Sequence, residues 1–413
     1  MKLSKITQIL SETSYARTSG TAQEKQCAEY IKSLCDQMFL SARIEPFDIT
    51  MHKISVARLI VDGKEIACTG FGGAASATVS EKLYYLQSND PVSLKRCKDK
   101  IVLVGKSLDI KLYDALAENG AKGLITYNGN LAFNDKDIYD NEIRFKISEK
   151  NLLPVVNIHL SDAVDIVKKG SKSAQIILQQ ADYVGKSYNV ILDIEGQTKE
   201  TIIICAHYDT TSLSTGAYDN MSGCIALLYL AEYFSTRQNF RSIRLLWCGS
   251  EERGLYGSLE YCNAHREELQ SHILNINLDM LGSVMGEFVA FSCINEKVKD
   301  IITSFLSKHC FPGSTRHAIR SSDSNSFVYN EIPAISFARY APMGLTMIHS
   351  RYDDMSVVSE KQLLKDSQII AKFVEYVANK SDLSEFCTIS DKIKTDVYKY
   401  MERHIACASN KRD

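Results

Sequence analysis

The chain carries a set of acidic and imidazole side chains, each placed after a strand-like apolar segment. Glu251 and Glu252 follow the apolar run Ile243–Cys248. The other members flank this pair along the chain: His207, Asp219, Asp279 and His349. Imidazole nitrogens and carboxylate oxygens are the ligands of catalytic zinc sites. Because the two imidazoles and three of the carboxylates can hold two ions, one carboxylate is left over. The set therefore predicts two zinc ions with an adjacent general base.

Three aspartates can each be interpreted either as part of a metal site or as a structural residue. Asp209 follows His207 by two residues and lies on the same side of an extended chain, so it can accept a ring N–H and fix the tautomer. Asp219 can bridge two cations, or it can cap the helix that follows from Met221. Asp279 ends an apolar strand, where its charge needs either a metal or an arginine partner.

Each of the other acidic residues also allows two interpretations when it is considered alone. Because Glu251 and Glu252 are adjacent, one can bind a metal while the other faces a reacting water. A solvated acid pair in a loop is the alternative. Asp353 follows His349 by four residues and either orients that imidazole or shapes the turn.

The chain divides into regions with different patterns of apolar residues, and the elements of these regions must position the residues of the set. From about residue 186, continuous apolar runs alternate with helical stretches, which predicts an α/β fold whose sheet is covered on both faces. Ligand sites in such sheets lie outside the carboxyl ends of the strands, where the whole set falls. Residues 51–185 consist mainly of short β-rich runs, with one helical stretch, and predict an inserted β-rich domain. Residues 1–50 and 186–382 would then form the catalytic domain, and residues 383–413 a C-terminal helical tail.

Composition excludes several classes of protein. The 48 basic and 50 acidic residues give a formal charge of −2, without the basic stripe of a nucleic-acid-binding protein. The sequence has no apolar run long enough to span a bilayer. The N-terminus, MKLSKITQILSETSYAR, does not have the pattern of a signal peptide. The 12 cysteines form no C-x-x-C pair, so we expect reduced thiols and a cytoplasmic protein.

The ordered motifs resemble a known family. AHYD, DNMSG, SEERGLYGS, NLDM and HS-x-x-D are similar to the motifs of the M28 metallopeptidases, which are zinc aminopeptidases. RTSGTAQEKQCAEYI resembles the N-terminal helix region of that family. KDKIVLVGK and ALAENGAKGLITYN resemble the protease-associated domain. The resemblance implies a phosphorylase/hydrolase-like mixed sheet flanked by helices, with an inserted protease-associated domain.

The resemblance also implies a role for each ligand. One zinc ion would be held by His207 and Asp279, and the other by Glu252 and His349. Asp219 would bridge the two ions. Cobalt and manganese suit similar ligands.

Two further residues take catalytic roles by the same resemblance. Glu251 would be the general base that takes a proton from the attacking water. Asp209 would support His207. The implied reaction is hydrolysis of peptide bonds. Removal of N-terminal amino acids is the favoured form of this reaction. The oligomeric state and the preferred side chain are not fixed by these motifs.

The chain departs from the family pattern at two places. The family often has Ser-Asp-His-x-Pro-Phe before the last strand, where this chain has SDSNSF at 322–327. Some relatives carry a tyrosine before the final histidine, where Ile348 stands here. These departures leave Tyr340 and Arg339 as candidate oxyanion donors.

Two other functions are compatible with the same fold. Glutaminyl cyclases are related enzymes that use one zinc ion and release ammonia. Some relatives with a protease-associated domain are non-catalytic scaffolds that have lost metal ligands. Retention of every ligand position here favours the two-zinc peptidase.

Overall fold

A computed structural model of the protein describes residues 1–105, 108–144 and 152–408, with side chains up to Glu402. The chain divides into two compact units. Unit 1 contains Met1–Ile49 and Lys186–Glu402, and unit 2 contains Thr50–Gly185. Residues 383–402, which the sequence placed in a separate tail, are grouped with unit 1, where Leu383 and Phe386 are buried. Residues 409–413 of that tail, and Lys106 of the KDKIVLVGK motif, lie outside the described residues.

The strands and helices are numbered in chain order. The strands are β1 (Arg43–Val61), β2 (Lys64–Ile66), β3 (Thr69–Gly72), β4 (Ala77–Leu86), β5 (Lys100–Val104), β6 (Gly123–Asn128), β7 (Asn141–Glu142), β8 (Val155–His159), β9 (Ser173–Ile194), β10 (Thr198–His207), β11 (Arg241–Cys248), β12 (His272–Leu278), β13 (Glu287–Cys293), β14 (Ser314–Arg316) and β15 (Ala334–Tyr340). The helices are α1 (Leu3–Glu12), α2 (Ala22–Gln37), α3 (Pro91–Lys95), α4 (Ile110–Glu118), α5 (Leu160–Lys169), α6 (Ser222–Phe234), α7 (Tyr256–Ala264), α8 (Glu296–Lys308), α9 (Ser324–Tyr329), α10 (Glu360–Asn379) and α11 (Asp391–Ala408).

The sheet of unit 1 is mixed. Its strand order is β14-β13-β15-β12-β10-β11-β9. The four central strands, β15, β12, β10 and β11, are parallel to one another, and β13 and β9 pair antiparallel on either side of them. The carboxyl ends of the four parallel strands therefore meet at one edge, which is where the predicted ligands follow.

Helices cover both faces of this sheet, as the continuous apolar strands predict. In β10, Ile202 and Ile204 belong to the core that includes α1, α2, α6 and α10. The intervening Ile203 and Cys205 belong to a second core with residues of α7 and α9. Because successive side chains of a strand point to opposite faces, the buried part of β10 is apolar at consecutive positions from Ile202 to Cys205.

Helix α2 begins at a side-chain cap. The hydroxyl of Thr21 accepts a hydrogen bond from the Glu24 N–H at 3.3 Å. The Glu24 carboxylate accepts from the Gly20 N–H at 2.7 Å and from the Ser187 hydroxyl at 2.6 Å. Glu24 is thus completely buried and ties the start of α2 to β9.

Unit 2 is built on β4, β5, β6 and β8, which are parallel neighbours, with β9 antiparallel to β4 and β3 antiparallel to β8. Its core is formed by apolar residues of these strands with α4 and α5. The sequence predicts only the helix at KLYDALAENGAKG. Helices α3 and α5 were missed. The five residues of α3 are too few for a periodic signal, and α5 begins directly after β8, inside the run that the sequence analysis assigned to a strand.

Among the described residues, every helix is too short or too polar to cross a bilayer.

Candidate metal centre and active site

Asp219 lies between the two predicted histidine ligands. Its Oδ1 is 3.0 Å from Nε2 of His207, and its Oδ2 is 3.5 Å from Nε2 of His349. The alternative role as a helix cap does not apply, because Asn220 instead accepts the hydrogen bond from the Gly223 N–H at the start of α6. The Asp219–Asn220 peptide bond is cis. The two oxygens of one carboxylate therefore face two different imidazoles.

The predicted ligands form two groups that share Asp219. The first group is His207, Asp219 and Asp279, and the second is Asp219, Glu252 and His349. Within each group, one ligand atom per residue lies within 4.8 Å of the others. His207 Nε2 is 3.8 Å from Asp279 Oδ1, and His349 Nε2 is 3.0 Å from Glu252 Oε2. Ligands of one tetrahedral zinc ion lie about 3.4 Å apart, so these separations suit zinc.

Two properties of the cluster indicate whether a cation fits: the hydrogen bonding of its buried carboxylate oxygens and the pKa values of its two imidazoles. Glu252 Oε1 and Asp279 Oδ1 are buried without a hydrogen-bond partner among the described residues, which is costly for a carboxylate unless a cation binds it. Burial alone would lower the pKa of His349, but Asp219 and Glu252 raise it to about 11. The pKa of His207 is also raised, against the effect of burial, by the surrounding carboxylates. The cluster therefore attracts positive charge, as a metal site must.

Asp209 supports the acidic loop more directly than it supports His207. Its Oδ1 accepts a hydrogen bond from the Glu251 N–H at 2.9 Å, and its Oδ2 accepts from the Glu252 N–H at 3.1 Å. The Nδ1 of His207 lies 3.3 Å from the backbone oxygen of Asp209 and 3.5 Å from its Oδ1. The Ser19 hydroxyl donates to the same carboxylate at 3.3 Å. Asp209 thus fixes the loop after β11 relative to the end of β10.

Glu251 lies beside the two ligand groups and belongs to neither. Burial raises the pKa of its carboxyl group well above the usual value, and Asp323 and Glu252 raise it further while His207 opposes them. A bound cation would lower this pKa again, because it favours the charged form. The position of Glu251 next to the ligands, with its side chain partly exposed, suits a group that exchanges a proton with a reacting molecule.

Asp353 fixes the loop that carries Asp219. Its Oδ1 accepts a hydrogen bond from the Tyr218 N–H at 2.8 Å, and its Oδ2 accepts from the Asp219 N–H at 3.1 Å. The Ser214 hydroxyl donates to Oδ2 at 3.2 Å. Of the two roles that the sequence allowed, the structure therefore favours shaping a turn, and the turn is that of Asp219 rather than that of His349.

Arg17 is a buried residue of the same region that the sequence analysis missed. Its side chain is completely buried and donates hydrogen bonds at 2.6–3.2 Å only to backbone oxygens. These oxygens belong to Thr13, Tyr15, Tyr208, Thr215 and Gly216. Arg17 thereby joins the loop after His207 to the loop before Asp219. No local sequence signal could reveal this, because the two loops lie about two hundred positions further along the chain.

The two candidate oxyanion donors have different surroundings. Arg339 donates to the Asp366 carboxylate through Nε and Nη2, at 2.9 and 2.8 Å, and to the Gly286 oxygen through Nη1 at 2.8 Å. Because its guanidinium is engaged there, the expectation that Arg339 is an oxyanion donor is wrong. Tyr340 ends β15 at the same sheet edge as the ligands, and its ring lies against the guanidinium of Arg320.

The part of the chain that contains this cluster of candidate ligands is similar to known proteins. Residues 189–374 match the family model described as peptidase family M28. This segment contains both ligand groups and Glu251. This segment is therefore similar to peptidase family M28. The sequence-based recognition of the family is therefore confirmed.

Two curated proteins are similar to part of this chain. Aminopeptidase YwaD of Bacillus subtilis (strain 168) is 28% identical over 290 residues, which cover 66% of this chain and 60% of that protein. Aminopeptidase Y of Saccharomyces cerevisiae is 25% identical over 280 residues, which cover 61% of this chain and 52% of that protein. The matched region thus spans less than two thirds of the length of each relative.

Solved structures share the fold of the chain. A zinc aminopeptidase from Bacillus subtilis, BSAP, superimposes with a TM-score of 0.76 at 24% identity, covering 95% of this chain and 98% of that one. The aminopeptidase from Aneurinibacillus sp. strain AM-1 gives a TM-score of 0.75 at 22% identity, covering 92% and 95%. The predicted α/β fold with a mixed sheet flanked by helices is confirmed.

Proposed function

We propose that the protein is a metal-dependent aminopeptidase that holds two zinc ions and removes N-terminal residues from peptides. The observation that carries the proposal is the placement of Asp219, whose two oxygens face His207 and His349 separately. A single-zinc site, as in the cyclase alternative, would need only one of these two groups. The names of the curated relatives, both aminopeptidases, support the same activity.

The ligands have distinct roles in this proposal. His207 and Asp279 would hold one ion, Glu252 and His349 would hold the other, and Asp219 would be shared by both. When bound, zinc supplies Lewis acidity, which polarises a peptide carbonyl and makes a water molecule more acidic.

The remaining residues of the site move or position protons. Glu251 accepts a proton from the attacking water and delivers it to the departing amine. Asp209 fixes the positions of Glu251 and Glu252, because its carboxylate accepts hydrogen bonds from their N–H groups. Asp353 keeps Asp219 oriented. Tyr340 remains a candidate donor to the developing oxyanion.

Two finer assignments accompany the proposal. We assign unit 2 as a protease-associated domain, on the similarity of KDKIVLVGK and ALAENGAKGLITYN to that domain. We also propose a cytoplasmic location, because the described cysteines are all free, as is usual in a reducing compartment.

A peptide library is the first test. We expect the zinc-loaded protein to shorten peptides stepwise from the N-terminus, as read by mass spectrometry, and we expect a chelator to stop the reaction. Cleavage from the C-terminus or within the peptide would contradict the aminopeptidase assignment. Loss of ammonia from N-terminal glutamine would favour the cyclase alternative.

A Glu251→Gln variant tests the general base. We expect it to retain two zinc ions per chain, counted by elemental analysis, and to lose about 10²- to 10⁴-fold in kcat. Glu267→Gln is the matched control, because Glu267 is exposed and lies away from both ligand groups. Near-normal kcat in a fully zinc-loaded Glu251→Gln protein would refute the role of Glu251.

A further inference from the structure

Arg320 lies next to the proposed metal centre and has an unused hydrogen-bond donor. Its side chain is only 11% exposed, and its Nη2 is 3.9 Å from Oδ2 of Asp279, which is beyond hydrogen-bond distance. Its Nη1 is buried and has no hydrogen-bond partner among the residues that the structure describes. A buried guanidinium normally has its donors satisfied, so this one calls for an explanation.

Aromatic rings hold the guanidinium in place. Its central carbon lies 4.6 Å from the ring centroid of Tyr340 and 5.7 Å from that of Phe291. The backbone oxygen of Arg320 also accepts a hydrogen bond from the Asn325 side chain. Arg320 is therefore positioned by contacts with these rings, which include a hydrogen bond to Tyr340, and by its backbone, and its Nη1 is left available.

Neutralisation of Asp279 does not account for this arrangement. Oδ2 of Asp279 already accepts a hydrogen bond from the Ser322 hydroxyl at 2.7 Å, and Oδ1 belongs to the first ligand group. An arginine that served as the ion-pair partner of Asp279 would bond it directly, as Arg339 bonds Asp366 at 2.8 Å.

We propose that Arg320 binds a carboxylate of the substrate, so that the enzyme prefers peptides with a carboxylate close to the scissile bond. The inference rests on the proposed aminopeptidase function and adds a substrate class to it. Arginine presents parallel donors that match a carboxylate, and a desolvated guanidinium beside the ligands can reach a group only a few bonds from the N-terminal amine. The carboxylate belongs either to an N-terminal aspartate or glutamate side chain or to the C-terminus of a dipeptide.

Paired substrates distinguish these two sources. Glu-Ala amide and Gln-Ala amide differ only in the side-chain carboxylate, and Leu-Ala and Leu-Ala amide differ only in the C-terminal one. For the zinc-loaded wild-type protein we expect kcat/KM to favour the carboxylate member of one pair by about tenfold or more. Ratios below twofold for both pairs would overturn the inference.

Substitution of Arg320 tests whether the preference depends on this residue. We expect Arg320→Gln to bring the favoured ratio close to one, and Arg320→Lys to give an intermediate ratio, because lysine keeps the charge but not the planar fork. Arg316→Gln is the matched control. Arg316 is exposed, stacks on the same Phe291 ring and lies 3.8 Å from Glu287, so we expect the wild-type ratio. An unchanged ratio in Arg320→Gln would overturn the inference, and loss of bound zinc from this variant would show instead that Arg320 serves the metal ligands.

A binding measurement keeps the inference separate from the proposed activity. If the wild-type protein hydrolyses none of the four compounds, the aminopeptidase proposal fails. The binding of the same compounds, measured by calorimetry, then decides the role of Arg320. Tighter binding of the carboxylate member, lost in Arg320→Gln, would support the inference, and equal binding would overturn it.

Discussion

Replacement of Asp353 by alanine gives the most direct test of how the bridging residue is held. The carboxylate of Asp353 is completely buried and accepts hydrogen bonds from the N–H groups of Tyr218 and Asp219 and from the Ser214 hydroxyl. Alanine offers no acceptor, so the two backbone donors lose their partners. Each buried donor without a partner costs about 1–3 kcal/mol. The expected loss is therefore roughly 2–6 kcal/mol in the free energy of unfolding.

Metal affinity should fall in the same variant. Asp219 belongs to both ligand groups, so a shift in its backbone misaligns a ligand of each ion. Loss of a residue that orients a metal ligand typically weakens metal binding about 10- to 100-fold. Both ions, and not only one, should be affected.

Chelator competition measures the zinc affinity, and urea unfolding measures the stability. Asp354→Ala is the matched control, because Asp354 is adjacent in sequence and only caps the short turn at Met355–Val357 through the Ser356 N–H. We expect Asp354→Ala to bind zinc as the wild type does. Zinc affinity within twofold of wild type in Asp353→Ala would refute the reasoning that this carboxylate orients the bridge.

Three further predictions concern stability. Arg17→Met should lower the free energy of unfolding by about 3 kcal/mol or more, because it leaves several buried carbonyl oxygens without their donor, and a urea titration that detects no loss would contradict this. Burial and Arg244 lower the pKa of His272 to about 4, so the unfolded chain binds a proton as pH falls below about 6.5 while the folded chain does not. Between pH 7 and pH 5 the wild type should therefore lose about 2 kcal/mol more stability than His272→Gln, and parallel curves for the two proteins would refute the shift. Zinc at 100 times its Kd should stabilise the wild type by about 2.7 kcal/mol, which thermal unfolding with and without chelator measures.

Much of the candidate site could be predicted because its residues sit at sequence positions with a fixed geometric meaning. His207 ends β10 and Asp279 follows β12, while Glu251 comes shortly after β11. The apolar runs of these strands can be recognised in the sequence, and neighbouring parallel strands end at the same edge of a sheet. Residue type and position were thus enough to expect that these side chains would meet.

The roles of the supporting residues could not be predicted in the same way. Asp209 was expected to serve the imidazole two residues before it, and its Oδ1 lies 3.5 Å from Nδ1 of His207. Its hydrogen bonds from the N–H groups of Glu251 and Glu252 were not expected. Arg339 was expected near the reacting carbonyl, but it pairs with Asp366 of α10. In each case the partner that decides the role is distant in sequence, and periodicity carries no information about it.

The sequence by itself therefore determined the α/β architecture of unit 1, which follows from local pattern, and the set of candidate ligands, which follows from residue chemistry and the resemblance to the family. Only the tertiary structure decided that Asp353 holds the bridging loop, that Arg17 joins two loops through their carbonyl oxygens, and that Arg320 keeps a free donor beside Asp279. The physical reason is that hydrogen bonds and burial depend on which backbone groups the fold brings within about 3 Å of a side chain. That proximity is set by the packing of strands and helices far apart in the chain.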